Sequence, residues 1–312
     1  MAQTTPATGP GAQATGQLAG RTVHRVGYGV MQLAESGGAA GPDRDTAVAV
    51  LRRAVELGIN HLDTAEFYGD GVANDLIRAA LYPYPDDLVL VSKVGAEHDE
   101  RASLVAAQRP EQLRAAVEAN LRRLQTGQLA VVNLRRLDAA PGIVATGDQL
   151  VDLDSQLAEL MALRDEGKVG GIGLSNVSLD QLRQAMPAGI VCVQNLYNLL
   201  DRSGEPLLAQ CACHGIAWAP YFPLGSAFAA RAKVTGHPAV IEAAGRLGAT
   251  PAQVGLAWLL GHDPHILLIP GTSSLAHLEE NVAAGCLQLD AATTAALDLI
   301  ASRGASGGAA AD

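Results

Sequence analysis

The chain has 312 residues, of which 48% are apolar, 4% aromatic and 17% charged, with 22 Lys and Arg against 32 Asp and Glu for a formal net charge of -10. An apolar share of that size over this length supports a sizeable core, which excludes a disordered chain or a small disulfide scaffold. The acidic balance argues against nucleic acid or an anionic membrane surface as the partner, because both reward clustered Lys and Arg.

In chain order, residues 1–17 read as a disordered leader, with no positive start and no apolar block of the kind a secretory signal needs. A cytoplasmic protein is the expectation. Leu18 to Arg25 predicts a short hairpin under the fold that follows. Short β-rich apolar runs then recur at Val26-Val30, Ile59-Leu62, Leu88-Lys93, Leu129-Leu134, Val169-Leu174, Ile190-Val193, Ile216-Ala219 and Ile266-Ile269. Helical signals lie between them. One helix opens at Pro42-Asp43, carries Val48, Leu51, Val55 and Leu57 as a stripe, and ends at Gly58. Others open at Pro110-Glu111, Asp152, Ser178-Leu179, Ser203, Pro251 and Ser274.

Strand then helix, repeated eight times, predicts parallel pairing with right-handed crossovers and so a single-domain α/β fold, a (β/α)8 TIM barrel over residues 18–302. Residues 303–312 read as a disordered tail. Alternation also allows a doubly wound sheet, but Gly27-Tyr28-Gly29-Val30-Met31 lacks the third glycine of a dinucleotide loop and opens no helix. The long connections 136–150 after strand four and 221–237 after strand seven fall on the face where barrel active sites form. Pro206 to Ala230 has no Asp, Glu, Lys or Arg, yet Gln210, His214, Gly215, Pro220, Pro223 and Gly225 interrupt it, so no membrane span is expected. Cys192, Cys211, Cys213 and Cys286 lack zinc spacing, and reduced thiols without a metal are expected.

In a barrel, polar residues ending the strands converge on one mouth, which places Asp63, Lys93, Arg135, Ser175 with Asn176, and Gln194 together. Tyr68 follows Asp63 by five residues. A phenol with a pKa near 10 is a poor acid at neutral pH, and an adjacent ammonium lowers that pKa by stabilising phenolate. Lys93 supplies that charge, and Asp63 holds Lys93 protonated through a charge-assisted hydrogen bond. The plain alternative is a rim ion pair beside a surface tyrosine. Ser175, Asn176 and Ser274 also sit where helix N-termini need caps, Tyr221 also reads as loop packing beside two prolines, and Trp218 and Trp258 read as core.

The motif set resembles the aldo-keto reductases, NADP(H)-dependent carbonyl reductases built on a (β/α)8 barrel. The resemblance runs from about residue 20 to 300 through Asp-Thr-Ala-Glu-Phe-Tyr-Gly at 63–69, Val-Ser-Lys at 91–93, Gly-Leu-Ser-Asn at 173–176, Gln194, Tyr-Phe-Pro-Leu-Gly at 221–225 and Ile-Pro-Gly-Thr-Ser-Ser-Leu-Ala-His-Leu-Glu-Glu-Asn at 269–281. It implies Tyr68 as general acid with Asp63 and Lys93 in support. It implies Ser175, Asn176 and Gln194 on the nicotinamide carboxamide, Tyr221 stacked on the ring, and Leu224 and Gly225 along the pyrophosphate. Gly271, Thr272, Ser273 and the helix bearing His277, Glu280 and Asn281 would take the adenosine end.

Two departures stand out. Most of the family ends strand four with histidine, where this chain has Arg135, which cannot relay a proton but can donate to a developing alkoxide. Retained carbonyl reduction with an altered preference, for an anionic or phenolate-bearing carbonyl, is expected; the alternative pairs Arg135 with Asp138 or another carboxylate and leaves the pocket without its usual fourth member. In the phosphate segment, Gly271 and His277 stand where many members carry Lys and Arg, so NADPH is the expected cofactor with NADH left open. Strand four and the start at Gly27 look most like the bacterial branch that includes pyridoxal reductases. A nicotinamide-binding accessory protein with little turnover is the rival reading, and no pattern marks an oligomer interface, which leaves the oligomeric state open with a monomer favoured.

Overall fold

The computed structural model describes residues 14–36, 39–101, 103–139, 142–225 and 232–305. The expected leader lies outside these residues up to position 13, and the expected tail from 306. The chain first forms an antiparallel hairpin, Thr15–Leu18 with Arg21–His24. It begins inside the segment assigned to the leader, three residues before Leu18, because Leu18 is its last inward residue rather than its first. Asn60 ties it down, accepting from His24 N at 2.9 Å and donating to Thr22 O at 3.2 Å.

Seven parallel strands follow, in the order β1 (Tyr28–Gly29), β2 (His61–Asp63), β3 (Val89–Val94), β4 (Leu129–Arg135), β5 (Val169–Ser175), β6 (Ile190–Gln194) and β7 (Ala217–Trp218), each paired with its sequence neighbour. The eighth expected strand is reduced to residues 266–268. It still closes the ring, bridging Trp218 to Ile266 on one side and Val26 to Leu268 on the other. Leu267 N donates to Trp218 O at 2.8 Å and Gly27 N to Leu268 O at 2.8 Å, so the sheet is a closed barrel without a free edge there.

The helices form the outer layer: α1 (Arg44–Glu56), α2 (Val72–Leu81), α3 (Pro110–Leu124), α4 (Leu153–Asp165), α5 (Leu179–Ala185), α6 (Glu205–Cys213), α7 (Pro238–Leu247), α8 (Pro251–His262), α9 (Leu275–Ala283) and α10 (Ala291–Ala305). Asp43, Asp152, Ser178, Thr250 and Ser274 each accept from a backbone N–H of the first turn, as N-caps do. Ser178, not Ser175 or Asn176, caps α5, so the capping explanation fails for those two and holds for Ser274. The helix expected from Ser203 starts at Glu205, because Ser203 is held in a turn by Asp201 Oδ1. Helices α2, α7 and α10 carry no sequence expectation of their own.

Side-chain alternation divides the apolar residues into two layers. On β3, Val89 and Val91 point into the barrel with Leu18, Val23, Val131, Cys192, Ala217 and Leu267, whereas Leu90 and Val94 point out into the larger sheet-helix core. Trp218 and Trp258 belong to that outer core at 0% and 2% exposure. Among the described residues no helix is long and apolar enough to cross a membrane.

Candidate functional site

Asp63 and Gln194 end β2 and β6, Lys93 stands next to last on β3, and all three lie buried on the inner face. Asp63 Oδ2 accepts from Lys93 Nζ, and Asp63 Oδ1 accepts from Gln194 Nε2 at 2.7 Å. Lys93 Nζ also donates to Thr64 O at 3.2 Å and lies 4.9 Å from the centre of the Tyr68 ring. Burial pulls the Lys93 ammonium down, but Asp63 and the Tyr68 oxygen outweigh it, and the group is held above its ordinary value. The lysine is therefore a fixed cation beside a phenol, placed to stabilise the phenolate that a proton transfer would leave.

The loop bearing Tyr68 is held at both ends. Thr64 N donates to Val91 O at 2.8 Å, Tyr68 N to Ala65 O at 3.1 Å, and Ala73 N back to Tyr68 O at 3.3 Å, so α2 starts directly on the loop. Phe67 packs edge-on against Tyr68 with ring centres 5.2 Å apart. Tyr68 itself is half-buried.

A second group surrounds Arg135. Its guanidinium carbon lies 5.9 Å from the Tyr221 ring centre, and Tyr221 OH donates to Asn176 Oδ1 at 3.1 Å. Asn176 Nδ2 donates to Arg136 O at 3.1 Å and Ala139 O at 3.0 Å, joining the aromatic platform to the loop after β4. Of the alternative partners for Arg135, Asp138 is corrected here: Arg136, the next residue, takes both of its oxygens at 2.9 and 2.6 Å. Alternation sends Arg136 outward, towards α4, and leaves Arg135 on the inner face in register with Ser175, which is in register with Gln194.

The chemistry of the donor set fits a nicotinamide cofactor. Ser175 Oγ and Gln194 Oε1 are buried and have no hydrogen-bond partner among the described residues, the pattern expected where a ligand amide completes the bonding. Asn176 differs, since both ends of its amide are already engaged. Gly271 lies where a Cβ would be 2.7 Å from Gly29 O, so only glycine lets this loop touch β1, whose Gly29 is in register with Asp63. Thr272 O accepts from Tyr28 OH, and Thr272 Oγ1 accepts from Ser274 N at 3.1 Å. Ser273, between them, is half-buried. Ser274 Oγ accepts from His277 N at 3.4 Å at the start of α9, where exposed His277, half-buried Glu280 and buried Asn281 lie. Leu224 packs against Gly255 of α8, and Gly225, at φ 90°, is a turn only glycine adopts readily. The contacts show no direct link between the α9 residues and the Asp63 group. A larger cleft of about 610 Å³, near Arg25, Trp258 and Asp298, contains none of the residues named for this site.

Sequence reasoning passed over three features. Asn133, in register with Lys93 and Gly173, is fully buried with neither amide atom paired, and a Cβ on Gly173 would fall 1.9 Å from its Oδ1. Its position two residues before Arg135 on an alternating strand was the available signal. His61 lies two residues below Asp63, its ring against Gly27, with its pKa pushed down to about 4 by burial and then by His24. The third is a set of buried polar residues outside the barrel, Thr64, Asn74, Ser92 and Asn120.

The profile of the Aldo/keto reductase family matches residues 25–302. The chain is 46% identical to pyridoxine 4-dehydrogenase of Escherichia coli over 283 residues, 90% of this chain and 96% of that protein. It is 30% identical over 278 residues to methylglyoxal reductase YeaE of the same organism, covering 88% of this chain and 89% of that one. An aldo/keto reductase from Klebsiella pneumoniae, crystallised with NADP and acetate, superposes with a TM-score of 0.77 at 29% identity over 93% of this chain and 95% of that one. The chain belongs to the aldo/keto reductase family: it is an NAD(P)H-dependent oxidoreductase acting on carbonyl groups.

Proposed function

We propose that the chain reduces the aldehyde group of a pyridoxal-like compound to the alcohol, with NADPH as cofactor and Tyr68 as proton donor. The observation that carries this reading is the buried Asp63–Lys93 pair under the half-buried Tyr68. When bound, the cofactor supplies a hydride to the carbonyl carbon. Ser175 and Gln194 would hold its carboxamide, Tyr221 would stack on the ring, and Leu224, Gly225 and Gly271 to Ser273 would follow its phosphates.

As negative charge develops on the carbonyl oxygen, Tyr68 gives up its proton, and Lys93 stabilises the phenolate that remains. Asp63 keeps Lys93 charged and fixed. Arg135 donates to the same oxygen or to an acidic hydroxyl beside the aldehyde, a role suited to a guanidinium that stays charged throughout. The pyridoxal-like substrate rests on this arginine and on the similarity to a pyridoxine 4-dehydrogenase.

The test is NADPH consumption over a panel that includes pyridoxal, pyridine-4-carbaldehyde and simple aliphatic aldehydes, with NADH in parallel. Turnover of pyridoxal above the others supports the reading. Turnover of simple aldehydes without pyridoxal removes the substrate, and saturable NADPH binding without any turnover points to an accessory protein.

A further inference from the structure

The dipeptides that bring Asp63 and Lys93 into the barrel carry a second polar arrangement on their outer side. Thr64 follows Asp63 and Ser92 precedes Lys93, so alternation turns both towards the helices, where each is fully buried. Asn74 of α2 and Asn120 of α3 meet them there. Thr64 Oγ1 donates to Asn74 Oδ1 at 2.9 Å, and Ser92 Oγ donates to Asn120 Oδ1 at 2.6 Å. Asn74 Nδ2 donates to Asn120 Oδ1 at 2.9 Å and to Glu66 Oε2 at 2.7 Å. Asn120 Nδ2 donates to Ala116 O at 2.8 Å, and Arg123 Nε meets the other Glu66 oxygen at 2.6 Å.

Every polar atom of Asn74 and Asn120 is thus engaged, and a fully satisfied buried network of this kind fixes one arrangement where an apolar contact would allow several. It joins the loop that carries Tyr68, through Thr64 and Glu66, to the strand that carries Lys93, through Ser92. Glu66 lies two residues before Tyr68, and burial raises its pKa against the opposing pull of Asn74 and Arg123. An apolar contact would suffice to pack α2 and α3 against the sheet. The connection made instead runs between the loop of the proton donor and the strand of its ammonium partner.

We propose that Asn74 and Asn120 are positioning residues for the proton donor, setting the distance between the Tyr68 loop and Lys93 through the chain Glu66–Asn74–Asn120–Ser92. The inference rests on Tyr68 being the acid. Loosening the chain lets Tyr68 drift from the ammonium, which then stabilises the departing phenolate less, so Tyr68 becomes a weaker acid. The cofactor residues on β5, β6 and the loop after residues 266–268 are untouched.

The experiment is the pH profile of kcat for NADPH-dependent reduction of pyridine-4-carbaldehyde by Asn120→Leu and Ser92→Ala, with NADPH affinity measured by fluorescence. Reduction needs the protonated tyrosine, so the wild-type rate falls as pH rises through its pKa. In Asn120→Leu that falling limb moves up by about one pH unit and kcat near neutrality drops about tenfold, with NADPH Kd within about twofold. Ser92→Ala keeps the Asn74–Asn120 bond, folds even if the other variant does not, and shows a smaller shift in the same direction. A limb that stays in place in every folded variant, with only thermal stability reduced, overturns the proposal. Tyr68→Phe separates the two levels: full turnover there removes the acid itself, whereas lost turnover there with unmoved limbs elsewhere overturns this inference alone.

Discussion

The upper and lower halves of the barrel interior are made by the same strands and the same alternation, yet they are chemically opposite. Below, Val89, Val91, Val131, Ala217 and Leu267 meet Leu18 and Val23 of the hairpin and form a closed apolar floor. Above, one or two alternations further along the strands, stand Asp63, Lys93, Asn133, Arg135, Ser175 and Gln194, several with buried polar atoms that find no partner among the described residues. Burying such groups costs stability unless they are bonded. The floor supplies the rigidity and the mouth uses it, so substitutions in the two halves should fail in different ways.

The largest expected effect comes from the mouth. Lys93→Met leaves Asp63 buried with no cation, and we expect a stability loss of about 3–5 kcal/mol together with loss of turnover, read by denaturant unfolding and NADPH consumption. Unchanged stability would show that the pair is solvated and not part of a dry site. Leu267→Ala in the floor is expected to cost about 2–5 kcal/mol in the same unfolding measurement while leaving kcat/KM of the folded enzyme near wild type. A loss of kcat/KM as large as that of a mouth variant would erase the distinction between the halves.

His61 stands at the boundary, and pH probes it. Its folded-state pKa, about 4, lies below the ordinary histidine value, so the native fold favours the neutral ring. Its contribution is full above about pH 6.5 and is lost as pH falls towards 4, a change of about 3 kcal/mol that His61→Gln should flatten in a series of thermal melts. The smallest effect is on selectivity. Arg135→Leu should lower kcat/KM for pyridoxal about ten- to a hundredfold relative to pyridine-4-carbaldehyde, which lacks the neighbouring hydroxyl. Equal losses on both aldehydes would assign Arg135 to the carbonyl oxygen alone.

The contrast also explains what could be read from the sequence. Apolar runs located the barrel strands, and Asp43, Asp152, Ser178 and Ser274 marked helix starts because a cap is a local requirement. Helix α2 carries no such side-chain cap, and α7 is capped by His237, an unusual residue for that place, so both escaped notice, whereas the cap of α10, Asp290 accepting from Thr293 N at 2.7 Å, is an ordinary one that was passed over. The Asp63, Tyr68 and Lys93 group was legible because charge chemistry limits which residues can do this work. Asn133, Asn74 and Asn120 were not, since an asparagine is defined by its partners and these come from strands and helices far apart in the chain. That Arg136 rather than Arg135 would take Asp138 depended on which face each residue occupies at the end of β4.

The central claim, that Tyr68 is the proton donor of a carbonyl reductase site at the mouth, is tested most directly by Tyr68→Phe, assayed for NADPH binding by fluorescence and for NADPH oxidation with pyridoxal. Cofactor affinity near wild type with turnover reduced by about 10²- to 10⁴-fold is the expected result. Turnover close to wild type would contradict it.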